Sequence, residues 1–114
     1  MLSQRKPDTR LDALLDKRGR ALRSLVEPEV TAALAALRGA GVVAEVIGSF
    51  AQGRFRSTSD VDFLVLDSGS LNERRVHDLL AQHLRSAPCD VVFAGHLPPG
   101  QADLMLAHAR AATA

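Results

Sequence analysis

The chain has 114 residues, of which 46% are hydrophobic and 24% charged, so it is long enough for one core and has a globular composition. Its single cysteine excludes a disulfide framework and a cysteine-rich zinc site, and no apolar run reaches the length of a membrane span. Trp and Tyr are absent, which argues against a stacking platform for single-stranded nucleic acid. We therefore expect a single domain, residues 1–114.

The net charge of +1 hides a basic N-terminal segment. Residues 1–23 hold seven Lys or Arg against three Asp, whereas the remainder holds seven basic against ten acidic residues. Such a segment could contact nucleic-acid phosphates, but the interleaved aspartates favour a solvated helix face. Its leucines could pack on the core or on a second subunit, which leaves a homo-oligomer open. The polar start lacks the apolar core of a secretory signal, so we expect a cytoplasmic protein without a membrane partner.

The first third of the chain predicts two helices. Leucines recur at helical spacing between residues 11 and 26, which predicts an amphipathic helix weakened near Gly19. Pro28 fits the first turn of a second helix, which Gly39 and Gly41 end. We assign residues 1–27 to an N-terminal helical extension of the domain.

The remaining elements alternate between strands and helices. Residues 42–47, 61–66 and 89–93 are apolar and β-branched, so they predict three strands, the second of them central. Ser49 is predicted to cap a short helical turn, and Ser70 with Glu73 has the spacing of a capping box for a longer helix. Residues 102–112 predict a last helix. This order predicts an α/β (α+β) fold in which helices pack on a small mixed sheet of three or more strands.

Two carboxylates stand at the head of the second strand. Asp60 and Asp62 are two residues apart, so they project to the same side of an extended chain. Aspartate is a poor strand former and is costly to bury unpaired, which indicates a nearby cation such as Mg2+. Asp90 offers a third carboxylate at the next strand, and three such groups can bind two metal ions. The alternative is a solvated strand end with Asp90 in a turn.

A phosphate-binding element precedes these aspartates. Gly48 permits close approach of the backbone, and Ser49 offers a hydroxyl group. Ser59 could add a hydrogen bond, and Arg54 could screen phosphate charge. We therefore expect Gly48, Ser49, Ser59 and Arg54 to bind a nucleotide.

These residues follow one order and spacing: Gly48-Ser49, Gly53, Ser59-Asp60-Val61-Asp62 and Asp90. The motif closely resembles that of the nucleotidyltransferase superfamily that includes DNA polymerase β. The resemblance implies transfer of a nucleoside monophosphate, typically AMP from ATP, to a hydroxyl group with release of pyrophosphate. By matched position, the Gly-Ser pair would bind phosphate and the three aspartates would carry the metal ions, two Mg2+ in this interpretation.

The shortness of the chain resembles the minimal nucleotidyltransferase (MNT) branch, many members of which are antitoxins paired with HEPN-domain toxins. The resemblance thus implies a HEPN-type toxin as the protein that accepts AMP. Two alternatives stay open: an antitoxin of the same fold that only binds its partner, and transfer to a small molecule such as an aminoglycoside. Two departures bear on this choice. Gln52 stands where family members commonly have Arg, and residues 101–114 lack the acidic-Gly-Tyr segment that many of them carry.

Overall fold

The computed structural model describes residues 9–56 and 58–111. Residues 1–8 of the predicted extension and Ala112, the predicted end of the last helix, lie outside that range. The elements in chain order are α1 (Thr9–Gly39), β1 (Val43–Ile47), α2 (Gly48–Ala51), β2 (Val61–Asp67), α3 (Glu73–His83), β3 (Cys89–Phe93), a 3-10 turn (Ala94–His96) and α4 (Gln101–Ala111). None of the helices within these residues is both long and apolar enough to cross a membrane.

The three strands form one mixed sheet in the order β1-β2-β3, as the α/β prediction requires. β1 runs antiparallel to β2, and β3 runs parallel to it after the crossover through α3. The side chains of β2 alternate between two cores. Phe63 packs with residues of α1 and α3, whereas Leu64 packs with Leu106 and Ala109 of α4. This burial on both faces confirms the prediction that the second strand is central.

Helix α1 is continuous where the sequence predicts two helices, so that prediction is wrong. Pro28 lies inside it and removes one backbone hydrogen bond, at a cost of about 3 kcal/mol. However, Val26 and Val30 on either side of the proline are both buried in the core with Ala33 and Leu37. Because each buried valine contributes about 1.5–3 kcal/mol, packing of this stripe outweighs the lost hydrogen bond.

The two predicted helix caps are also wrong. α2 begins at Gly48 with Ile47 as its cap residue, so Ser49 lies within the helix instead of capping it. The cause is that β1 runs into α2 without an intervening loop. The N-cap of α3 is Asn72, whose Oδ1 accepts a hydrogen bond from Arg75 N at 2.9 Å. Ser70 cannot fill that role because it belongs to the turn after β2.

A carboxylate on α1 holds the loop that follows α3. Glu29 Oε1 accepts hydrogen bonds from Arg85 N at 3.0 Å and Ser86 N at 2.9 Å, and Oε2 accepts one from Ser86 Oγ at 2.7 Å. The Ser86 hydroxyl makes the largest contribution to lowering the pKa of Glu29, and the two backbone donors lower it further. This contact ties α1 to the chain segment that leads into β3.

We predict that Glu29→Gln destabilises the fold by about 1 kcal/mol near neutral pH, a value already discounted for solvent exposure. Because the folded pKa is lowered, this stabilisation is present above the ordinary glutamate pKa of about 4.3 and is lost as the pH falls through the folded pKa. Urea unfolding of both chains at about pH 7 and about pH 3 measures it. A stability difference that stays constant between the two pH values contradicts the account.

Candidate active site

The turn from β1 into α2 is built around Gly48. This residue has a φ of +74°, in the left-handed region that favours glycine. A Cβ atom at this position would lie 2.1 Å from Asp62 Oδ2 and 3.0 Å from Asp62 Cγ. The contact follows from strand pairing, because Ile47 stands opposite Asp62 in the β1–β2 register. Because Gly48 has no side chain, the Asp62 carboxylate can occupy the space beside it.

The same carboxylate has a second neighbour on β3. Asp62 and Asp90 are direct partners in the parallel β2–β3 register, so both stand at one end of the sheet. Asp60 immediately precedes β2 and is exposed, as is Asp90, whereas Asp62 is half-buried. The structure thus brings Asp62 and Asp90 side by side and leaves Asp60 just outside the strand.

The electrostatics of this end of the sheet indicate mutual repulsion. Burial raises the pKa of Asp62, and the charges of Asp90 and then Asp60 raise it further. Burial followed by the same two charges raises the pKa of the Cys89 thiol. A cation near these carboxylates would relieve the repulsion.

The donor chemistry suits a hard divalent cation, because all three side chains offer carboxylate oxygens. Within residues 9–56 and 58–111, however, no three His, Cys, Asp or Glu side chains are grouped so as to hold a metal ion. The register supplies a pair of adjacent carboxylates, and the predicted three-carboxylate ligand set is not assembled as one group.

The predicted phosphate ligands separate into two sets. Ser49 and Arg54 lie on an open pocket of about 600 Å3, whereas Ser59 is not part of its lining. Instead, Ser59 Oγ accepts a hydrogen bond from Arg56 N at 3.0 Å and closes a loop. We call this pocket the arginine pocket; it is lined by Leu15, Asp16, Arg20, Ser49, Gly53, Arg54, Phe55 and Arg56.

A glycine turn against a strand aspartate, with a second aspartate in register, is consistent with one enzyme family. The family model described as nucleotidyltransferase domain matches residues 29–111, which is most of the chain. The chain belongs to this family. Its general activity is therefore nucleotidyl transfer, and the resemblance recognised in the sequence is confirmed at that level. Comparisons with curated proteins and with solved structures gave no significant match.

Two arginines that the sequence analysis assigned only to the basic N-terminal segment lie beside the turn that follows β1. Arg20 lines the arginine pocket, and Arg23 Nη1 donates a hydrogen bond to the Phe50 carbonyl oxygen at 3.0 Å. Both arginines precede the residues that the family model matches. Their spacing of three residues places them on one face of α1, which was the available signal. It was not sufficient, because nothing local indicates that α1 crosses segment 49–56.

We predict that Gly48→Ala impairs the nucleotidyltransferase domain more than its backbone strain alone explains. Alanine at a positive φ costs about 1–2 kcal/mol, and here the added methyl group also displaces the Asp62 carboxylate. Gly41→Ala is the matched control, because Gly41 has a φ of +84° but no atom within 4 Å of its added Cβ. Urea unfolding and ATP binding are measured for both variants. Equal losses of ATP affinity in both would contradict the assigned contact.

We predict that Asp62→Asn stabilises the fold in metal-free buffer while it abolishes transfer. Because the folded pKa is raised, the cost of the charged carboxylate is absent below the ordinary aspartate pKa of about 3.9 and appears as the pH rises through the folded pKa. After allowance for solvent exposure, the expected gain near neutral pH is a few tenths to about 1 kcal/mol. Urea unfolding against pH, with a chelator present, measures it. A loss of stability at neutral pH would contradict this electrostatic account.

Proposed function

We propose that the protein is a Mg2+-dependent nucleotidyltransferase that moves AMP from ATP to a hydroxyl group of a partner protein. The observation that carries the proposal is the contact of Gly48 with Asp62, which itself pairs in register with Asp90. Ser49, whose hydroxyl group could bind a phosphate, directly follows the glycine that contacts Asp62. A phosphate site adjoining carboxylates is the arrangement that metal-assisted phosphoryl chemistry needs.

In this proposal the two sides of the site have different tasks. Asp62 and Asp90, which pair in register, would hold Mg2+, and Asp60 would have to approach them to complete a set of three carboxylates, a number sufficient for two ions. Bound Mg2+ would neutralise charge on the phosphoryl oxygens. Ser49 and Arg54 would bind the phosphates by hydrogen bonds and charge. The acceptor oxygen forms a bond to the α-phosphorus as the bond to pyrophosphate breaks. The acceptor proton leaves to Asp90, whose carboxylate is exposed.

The exposure of the carboxylates to solvent favours a macromolecule as the acceptor. Asp60 and Asp90 are exposed, and Asp62 is half-buried. Phosphoryl transfer benefits from exclusion of water, and in this proposal the surface of the acceptor supplies that exclusion to the open carboxylates. We propose that the acceptor is a HEPN-type toxin and that this chain is its antitoxin. The support for this partner is the resemblance of the motif to the nucleotidyltransferase superfamily, whose small MNT members are often paired with HEPN-domain toxins.

Label transfer tests the proposal. The chain is incubated with Mg2+ and a purified HEPN-domain protein, once with α-labelled ATP and once with γ-labelled ATP. We expect label on the HEPN protein from the α position alone, with loss of labelling on chelation or with Asp62→Asn. Asp103→Asn is the control for charge, because Asp103 is exposed in the first turn of α4.

Three outcomes would contradict this assignment. Persistent labelling with Asp62→Asn would show that the carboxylates do not carry the reaction. Neutralisation of the toxin by that variant, without labelling, would identify an antitoxin that acts by binding. Label appearing on an aminoglycoside instead of the HEPN protein would identify a small-molecule acceptor.

A further inference from the structure

The arginine pocket has a positive lining that the aspartates do not account for. Its polar side chains are Asp16 and Arg20 from α1, and Ser49, Arg54 and Arg56 from the opposite wall. Three guanidinium groups against one carboxylate leave two net positive charges around a volume of about 600 Å3. A concave surface with this surplus concentrates small polyanions. Phosphate is a suitable ligand, because the planar guanidinium group of arginine can donate two parallel hydrogen bonds to phosphate oxygens.

The α1 wall is fastened to the turn that carries Ser49. Arg23 lies nearly one helical turn after Arg20, and its Nη1 donates to the Phe50 carbonyl oxygen at 3.0 Å. The Arg23 guanidinium carbon also lies 4.1 Å from the centroid of the Phe50 ring, and Arg23 Nε donates to Glu27 Oε2 at 3.3 Å. Because Phe50 is buried and follows Ser49 directly, these contacts hold this part of α1 against the turn that carries Ser49.

The lining of the pocket does not include Asp60, Asp62 or Asp90. Gly48 contacts Asp62, Ser49 follows it, and the pocket lining continues from Ser49 to the α1 wall without including Gly48 or any of the three aspartates. A nucleotide whose α-phosphate lies at the aspartates and whose chain of phosphates passes Ser49 would therefore place its terminal phosphates near α1.

We infer that Arg20 binds the pyrophosphate portion of the nucleoside triphosphate and makes α1 part of the donor site. This inference rests on the proposed function, because it assigns the leaving group of that reaction. Arg20 and Arg23 both precede residue 29, where the family match begins, so this wall is a feature of this chain's own N-terminal helix. Arg20 contacts substrate, whereas Arg23 is a positioning residue that acts through Phe50.

Titration calorimetry with Mg2+ tests the assignment, using ATP, AMP and inorganic tripolyphosphate as probes. Arg20→Ala is expected to raise the Kd of ATP about tenfold, because it removes one charge-assisted contact. The Kd of tripolyphosphate should rise by a similar factor, and the Kd of AMP should stay unchanged. Arg20→Lys keeps the charge without the fork and should recover part of the affinity. Arg18→Ala is the matched control, because Arg18 is exposed on the same helix and does not line the pocket.

The outcomes separate this inference from the function on which it rests. If the unaltered chain binds ATP and the Arg20 and Arg18 variants bind it equally well, the inference is overturned and the proposed function stands. Equal weakening of ATP and AMP by Arg20→Ala would show general damage to the site and also overturns it. Weakened binding of an RNA oligonucleotide with unchanged ATP affinity would assign Arg20 to nucleic acid instead. Failure of the unaltered chain to bind ATP overturns the proposed function and the inference together.

Discussion

The contact between Gly48 and the Asp62 carboxylate is the constraint on which the site depends. It requires a residue without a Cβ at the end of β1, because that atom would lie 2.1 Å from Asp62 Oδ2. It also requires the antiparallel register that sets Ile47 opposite Asp62, and the parallel register that sets Asp90 beside it. A shift of either register by one residue would send these side chains to the other face of the sheet. The phosphate side and the carboxylate side therefore stay adjacent only in this pairing.

The rest of the fold holds that pairing in place. Phe63 and Leu64 anchor β2 in cores on opposite faces, so the strand cannot slide without exposing one of them. Burial, followed by the charges of Asp90 and Asp60, raises the pKa of Asp62, which shows the cost of holding this carboxylate at the strand end. A cation bound near these carboxylates would relieve their mutual repulsion. Helix α1 forms one wall of the arginine pocket, and Arg23 joins this helix to the β1–α2 turn by its contacts with Phe50.

Much of this arrangement was predictable from local sequence. β2 and β3 followed from short β-branched runs, and the glycine turn followed from Gly48 itself. The features that the sequence did not predict depend on tertiary contacts. Pro28 indicates a helix start, but burial of Val26 and Val30 carries α1 through it. The place of Arg20 beside Ser49 depends on how α1 crosses a segment almost thirty residues later, which no local periodicity encodes.

A crystal structure of the chain with Mg2+ and a non-hydrolysable ATP analogue tests the central claim most directly. The account predicts electron density for the cation between the carboxylates of Asp62 and Asp90, with phosphate oxygens at Ser49 and Gly48 still against Asp62. Terminal phosphates should reach toward α1. A nucleotide bound elsewhere on the sheet, or a cation that contacts neither Asp62 nor Asp90, would contradict the account.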